Sequence, residues 1–319
     1  MANDVKLAVV IPAFKGRYFK AALDSIAQQN CKLFNLYIGD DASPEDLGKL
    51  VNTYQGDLKI TYKRFPENLG SKNLVAHWER CINLTQDEEW VWLFSDDDVM
   101  GSSCVQNFYD YLNRDGSSTD LFHINLNFIN GAGAISKICQ PFPLQLSVSD
   151  FYSRRIKFQI NSSVVEYIFR KSVYVEKNGF KNNEMAWCSD DATWLKFGEK
   201  KGITTIPGLV YWRISGDNIS SMNSDKNVVI KKITLNTKHI KWATNFLKSH
   251  NLADQTKPFD KIKWIISTLV VTPGFSFKEK YQVLNKVINE LEFHDIKLLA
   301  SSYLAYWEFK NFLIGYQKP

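Results

Sequence analysis

Residues 90–100 read WVWLFSDDDVM, and no other stretch limits the fold of this chain as tightly. Five consecutive apolar residues run straight into three carboxylates. An apolar run this short, without polar alternation, suits a strand covered on both faces of a parallel sheet. Ligands of open α/β sheets bind just beyond the carboxyl ends of the strands. Asp96, Asp97 and Asp98 therefore stand where chemistry is usually done in such a fold. Three adjacent carboxylates repel one another, so folding alone gives no reason to gather them. A hard divalent cation gives one, because Mg²⁺ takes oxygen ligands and bridges one or two carboxylates to substrate phosphates. The competing explanation is a solvated acidic turn.

The preceding ninety residues alternate strand and helix. Val5 to Ile11 is a nearly unbroken β-branched run stopped by Pro12, and Phe19, Ala22, Leu23 and Ile26 recur at helical spacing. Asn35 to Gly39 is a second strand, ending in Asp40-Asp41-Ala42-Ser43-Pro44, where Ser43 is placed to cap the next helix. Lys59 to Phe65 is a third strand, followed by Pro66 to Gly70, a helix over about 71–84 and the WVWLF strand. This order predicts right-handed crossovers and a doubly wound, mostly parallel α/β sheet. From about Gly116 the rhythm changes. Leu121 to Ile129, Ser163 to Arg170 and Leu209 to Ile214 read as strands that extend the sheet in mixed orientation, with a helix over 192–198. Beyond Ser224 the pattern is helical: Leu284, Val287, Ile288 and Leu291 share one face, as do Leu299, Tyr303 and Tyr306. The expected division is a catalytic domain over 1–225 and a basic helical region over 226–319.

Charge supports that division. Residues 226–319 hold 15 Lys, no Arg and 7 acids, net +8, whereas the rest holds 24 basic against 27 acidic residues, net −3. A basic helical body suits an anionic membrane surface or, more simply, a solvated lysine face. Nothing resembles a nucleic-acid motif, and the lysines are interleaved with core apolars without an arginine cluster. The five cysteines are widely spaced with no CxxC pair, as expected of reduced thiols in a cytoplasmic protein. The first residues lack a signal-like segment, and the run Trp264 to Val271 is far below the roughly 18–20 residues that span a bilayer. Sequons at Asn83, Asn161 and Asn218 then read as chance matches.

In a parallel sheet the four early strand ends share one edge. They are Pro12-Ala13-Phe14, Asp40-Asp41, Pro66 to Gly70, and Ser95 to Asp98. No GxGxxG follows the first strand and no GxxxxGK[ST] occurs, which excludes a dinucleotide fingerprint and a P-loop. What remains is a crevice with two separate acidic clusters. A carboxylate such as Asp41 can accept from a base N–H while the second cluster carries metal and phosphates.

The ordered set VVIPAF, IGDDASPED, ENLG and LFSDDD resembles the inverting, GT-A-fold glycosyltransferases of family 2, over about residues 5–220. Later pieces fit as well: Ser162-Ser163 with Phe169-Arg170, the Gly179-Phe180 turn, Asp190-Asp191 in place of the family's Glu-Asp, and WRISGDNIS. The resemblance implies that Pro12, Ala13 and Phe14 flank the base of a nucleotide-sugar donor and that Asp41 accepts from base N3–H. It implies Asp97 near ribose or metal and Asp98 as the leading metal ligand, with Mn²⁺ or Mg²⁺ as cofactor. Asp96 joins the donor set or stands outside it, because Ser95 occupies the first aspartate of the usual D-x-D-D. The turn ending at Gly70 approaches the phosphates, with Lys72 either a neutraliser or an ordinary surface lysine. His77, in His77-Trp78-Glu79-Arg80-Cys81, is a donor-site candidate or a satisfied helix histidine. A late metal-binding histidine of some GT-A enzymes is replaced by Ser215, and Arg213 assists the phosphates or pairs with a carboxylate.

Inverting transfer needs a base for the acceptor hydroxyl, worth roughly 10²–10⁴-fold. Asp191 is the expected base, with Asp190 its alternate or a positioning group; the same pair would also cap the helix after it. Among the tryptophans nearby in sequence, Trp187 and Trp212 are the acceptor-binding candidates, since aromatic faces suit sugar C–H faces. The expected function is transfer from a nucleotide-sugar, with UDP favoured, to a saccharide or lipid-linked saccharide in surface polysaccharide or glycolipid synthesis. The expected place is the cytoplasm, with peripheral contact at the inner membrane face. A nucleotidyltransferase acting on a sugar phosphate and a non-catalytic sugar-binding relative are the alternatives.

Overall fold

The four early apolar runs form parallel strands, as their lack of alternation requires. In the computed structural model, which describes residues 5–115, 118–216 and 224–314, the first part runs β1 (Leu7–Ala13), α1 (Phe19–Ala27), β2 (Phe34–Asp40), α2 (Leu47–Asn52), β3 (Ile60–Arg64), α3 (Leu74–Ile82) and β4 (Trp90–Leu93). Then follow β5 (Val99–Met100), α4 (Cys104–Asp115), β6 (Leu121–Ile129), β7 (Ile135–Ile138), β8 (Gln145–Leu146), α5 (Val148–Ile156), β9 (Tyr167–Arg170), α6 (Lys171–Glu176), α7 (Ser189–Phe197) and β10 (Ile203–Arg213). One sheet joins all ten strands in the order β3-β2-β1-β4-β9-β6-β10-β5, with β7 beside β6 and β8 beside β10. β1 pairs in parallel with β2 and β4, β2 with β3, and β6 with β10. β9 is antiparallel to both β4 and β6, so β6 again runs the same way as β4. The carboxyl ends of β1 to β4 and β6 consequently lie along one edge.

Alternation divides the buried side chains between two faces. Leu7, Val9 and Ile11 of β1, Trp90 and Trp92 of β4, and Phe122, Ile124 and Leu126 of β6 form one core with α1, α2 and α4. Full burial of each such side chain stabilises by roughly 1.5–3 kcal/mol. The opposite face carries Tyr167 and Phe169 of β9, on which Trp194, Phe197 and Phe180 pack.

Local chemistry moved several boundaries. Asp46, not Ser43, caps α2 by accepting from Lys49 N, and Asn73 caps α3 through Ala76 N. Ser163 to Glu166 is a capping-box turn leading into β9 and not strand. β10 begins six residues before Leu209. The Pro207-Gly208 pair, with Gly208 at φ +133°, is a bulge within the strand and not a break.

The chain separates into two compact units: residues up to Phe151 with Ile160–Ser215, and Tyr152–Gln159 with residues from Gly216 onward. The second holds α8 (Lys226–Ser249), α9 (Pro258–Val271), α10 (Phe277–Leu291) and α11 (Lys297–Ile314). Asp225 caps α8, Pro258 opens α9, and Ser276 with Glu279 forms a capping box on α10. Leu284, Val287, Ile288 and Leu291 are buried against Ile262, Ile265 and Leu269. α11 instead turns Ala300 and Leu304 inward and leaves Leu299 and Tyr306 exposed. Among the described residues no helix is long and apolar enough to cross a membrane.

Candidate active site

The strand tails at the shared edge are laced together by their own carboxylates. Asp96 Oδ2 accepts from Phe14 N and Lys15 N, both at 2.8 Å, so the tail of β4 braces the tail of β1. Ser43 Oγ donates to Phe14 O at 2.7 Å, and Asp41 N to Ala13 O at 2.8 Å, which adds the tail of β2. Pro12 and Ala13 themselves lie in β1, in register with Gly39 and Asp40.

Asp41 organises the next turn. Its buried carboxylate accepts from Leu69 N and Gly70 N, both at 2.8 Å. A Cβ on Gly70 would lie 2.6 Å from Asp41 Oδ2, so this approach requires glycine. Arg80, reaching from α3, donates to Asp41 Oδ1 and to Glu67 O, and its guanidinium lies 3.9 Å above the Phe65 ring. Arg80 Nε also donates to His77 Nδ1 at 3.0 Å. That nitrogen is thus an acceptor, and its 3.6 Å approach to Asp41 is no ion pair. Burial, followed by Arg80, pushes His77 down to about 4, so the ring is neutral; Asp41 opposes this shift. Ala42, just after Asp41, holds a left-handed φ of 56°. Lys72 is exposed and 3.6 Å from Glu67.

The three aspartates after β4 divide their work. Ser95 Oγ donates to Asp97 Oδ1 at 2.5 Å, so the serine in the first acidic position fixes an aspartate two residues on. Arg213 N donates to Asp98 Oδ1 at 2.7 Å, and Arg213 Nε to Asp97 O at 2.8 Å. Arg213 is buried, with Nη1 donating to Asn130 O and Gly131 O and the guanidinium 4.6 Å over Tyr18. It therefore clamps the acidic loop to the ends of β6 and β10. Burial and then Asp97 raise Asp96 to about 6; the same two causes, in the same order, raise Asp98 well above the carboxylate range.

Asp190 and Asp191 occupy the first turn of α7. Trp194 stacks on Tyr167 at 4.3 Å, and Phe197 packs on Phe169, two residues further along β9. β9 runs antiparallel to β4 with Trp92 opposite Ile168, so Tyr167 lies toward the carboxyl end of β4. α7 therefore descends the sheet with its N-terminus at the edge that carries Asp96 to Asp98. The loop into α7 is strained: Met185, Ala186 and Cys188 hold φ of 58°, 53° and 57°. Such non-glycine residues cluster at functional sites, where surrounding contacts over-determine them. Here Asn183 N donates to Ser189 Oγ, Asn183 Nδ2 to Trp187 O, and Lys181 N to Thr193 Oγ1. Asp191 is buried and Asp190 half-buried, with Asp190 Oδ1 accepting from Asp191 N. α3 links this segment to Asp41, since Glu79 accepts from Phe180 N while Arg80 holds Asp41.

A family model described as glycosyl transferase family 2 matches residues 8–169. The chain belongs to glycosyl transferase family 2. No curated protein matches it. Solved structures share its GT-A architecture at low identity. The TarS protein of S. aureus, residues 1–349 in complex with UDP-GlcNAc, aligns with TM-score 0.60 and 16% identity, over 96% of this chain and 89% of that one. A mannosyltransferase from Pyrobaculum calidifontis in complex with GDP-Man and Mn²⁺ aligns with TM-score 0.56 and 13% identity, over 99% and 89%. Against a longer TarS structure the TM-score is 0.59 at 15% identity; the match takes in 96% of this chain and spans 54% of that one, about half its length.

On this family frame the sequence-expected residues separate. Pro12, Ala13, Phe14, Asp41, Gly70 and the three aspartates gather at one edge of the sheet, with Ala13 and Asp41 buried there, and the first turn of α7 brings Asp190 and Asp191 toward that edge. Trp212 packs 5.1 Å from Phe128 against the core of α1 and α4, whereas α7 covers the opposite face. Of WRISGDNIS, residues 217–220 lie outside the described residues. Among the described residues no three His, Cys, Asp or Glu side chains form a metal cluster. Asp97 and Asp98 nevertheless each keep Oδ2 outside the bonds above, and burial with the charge of Asp97 raises Asp98 despite the nearby Arg213. Two hard oxygens of this kind fit a divalent cation that takes its other ligands from diphosphate and water.

Sequence reasoning gave Arg80 no role and left Arg213 undecided between phosphate and carboxylate. Arg80 sits three residues after His77 on one helix face, which was the legible signal for it. Arg213's backbone donation to Asp98 had none.

Proposed function

We propose that this chain transfers a sugar, with inversion, from a nucleotide-sugar, UDP-linked by preference, to a hydroxyl of a saccharide or lipid-linked saccharide in surface polysaccharide or glycolipid synthesis. The observation that carries the proposal is the shared edge: the acidic loop after β4 and the acidic first turn of α7 open at the same end of the sheet. The base lies beyond Ala13 and Phe14, between them and the Arg80–Asp41 pair. Asp41 holds the 69–70 turn and offers its remaining acceptor capacity to base N3–H. Asp96 acts as a brace of the donor loop, and Lys72 reaches toward the phosphates.

Asp97 and Asp98 would hold Mn²⁺ or Mg²⁺, which when bound offsets the charge gathering on the departing diphosphate. Asp191 takes the proton of the acceptor hydroxyl as its oxygen bonds the anomeric carbon and the glycosyl–phosphate bond breaks on the far side. Asp190 orients the acceptor, and Trp187 offers an aromatic face to it. On this reading the work is done in the cytoplasm, in peripheral contact with the inner face of a membrane.

The test incubates the protein with UDP- and GDP-sugars, Mn²⁺ and saccharide acceptors, and measures nucleoside diphosphate release. Asp191→Asn is expected to lower turnover by roughly 10²–10⁴-fold while keeping the donor-induced rise in melting temperature. Pyrophosphate release would show nucleotidyl transfer instead. Donor binding without turnover in the unmodified protein would point to a sugar-binding relative.

A further inference from the structure

The outer face of α11 does not read as a solvated surface. At 100° per residue, Leu298, Leu299, Tyr306, Phe309, Phe312 and Leu313 fall on one arc, and all six are exposed. Phe312 is 82% exposed, Leu298 81% and Phe309 61%. The positions between them are Ser302 and Ala305, so the arc carries no charge. The inner arc is already satisfied: Ala300 and Leu304 are buried, Glu308 pairs with Lys280 at 2.7 Å, and Asn311 Nδ2 donates to Val270 O. A helix that is apolar on its outer arc as well as its inner one has a second surface to cover.

Charge identifies the occupant. The unit that contains α11 holds eighteen basic residues against nine acidic, net +9, and the remainder of the chain is net −4. Two copies of a +9 unit brought face to face repel, whereas an anionic lipid surface attracts each of them. Lys310 borders the arc, its ammonium held 4.5 Å over the Trp307 ring.

We propose that α11 is a membrane-docking helix that lies in the plane of an anionic bilayer and buries its outer arc among the acyl chains. This deepens the proposed function on its acceptor side. It rests on that reading for its biological use, because a lipid-linked acceptor is met at such a surface. Binding itself depends only on α11 and on the charge of its unit.

The test uses the full chain and vesicles of phosphatidylcholine, with and without phosphatidylglycerol. The protein is expected to sediment with the anionic vesicles, to be released by high salt, and to stay in solution with phosphatidylcholine alone. Phe309→Ser with Phe312→Ser is expected to weaken binding at least about tenfold, with melting temperature and donor turnover on a soluble acceptor unchanged. Phe312→Trp supplies a second measurement on an otherwise native surface, the emission it adds to that of the nine native tryptophans, taken as the difference from wild type, moving to shorter wavelength with anionic vesicles. A wild-type protein left in the supernatant, or an unshifted Phe312→Trp emission, overturns the proposal. So does a dimer in solution that the double serine variant dissociates, since a second copy would then own the face. Loss of donor turnover with vesicle binding intact counts against the catalytic reading alone.

Discussion

Arg80→Ala probes the proposed donor site through a pair that stability measurements can read. Arg80 meets Asp41, whose side chain is 3% exposed. Removing one partner of a buried pair costs about 3–5 kcal/mol. Asp41 keeps its two backbone donors, and Arg80 is partly solvated, so about 2–3 kcal/mol is expected here. At roughly 2–4 °C per kcal/mol for a unit of this size, the melting temperature near pH 8 falls by about 5–10 °C. The pH dependence then separates this account from simple loss of packing. His77 is held at about 4 in the folded protein, below its ordinary value near 6.5. Above about 6.5 neither state binds that proton; as pH falls toward about 4 only the unfolded chain takes it, so folded stability is lost across this window. Near pH 5 that loss is about 2 kcal/mol. Arg80→Ala removes a charge that keeps His77 neutral and leaves Asp41 3.6 Å away, so the variant's His77 takes a proton more readily and escapes part of the loss. The gap in melting temperature between wild type and variant should therefore narrow from about pH 8 to about pH 5. Thermal melts at both pH values check it, with His77→Gln as background control. A gap that stays constant or widens refutes the reasoning.

The acidic loop and the two turns beside it supply the remaining expectations. Mn²⁺ affinity should rise from about pH 5 to about pH 8, because protons compete at Asp98, whose pKa is raised; calorimetry in two buffers should register proton release, and a pH-independent affinity would contradict it. Gly70→Ala should displace Asp41 from the 69–70 turn at a cost of about 1–3 kcal/mol and weaken donor binding, seen as a smaller donor-induced thermal shift. Glu79→Ala should free the Gly179-Phe180 turn and raise the acceptor KM more than the donor KM in steady-state kinetics; equal rises would mean that the turn does not serve the acceptor side alone.

Sequence patterns were most legible where one local cause sufficed. The unbroken apolar run Trp90 to Phe94 announced a strand buried on both faces, and β4 is one. The alternation of strands and helices over the first hundred residues announced parallel pairing, which β1 to β4 show. They were least legible where a residue's partner lies far along the chain. Pro207-Gly208 looks like a stop but is a bulge carried by pairing with β6. Leu299, Tyr303 and Tyr306 have core-like spacing, yet the inward side of α11 is decided by which residues α9 and α10 present to it.

Hydrophobic period, turn chemistry and an ordered set of short motifs were enough to establish the α/β architecture, the family and the identity of the carboxylates worth testing. Those signals are local, each set by neighbours within a few residues. What each carboxylate does was decided by packing alone. Asp96 braces a loop 81 and 82 residues away, Asp41 is occupied by Leu69, Gly70 and Arg80, and Asp98 is met by the backbone of Arg213. A carboxylate's pKa and free lone pairs depend on burial and on donors brought from distant strands, and such donors are assigned only when the sheet closes.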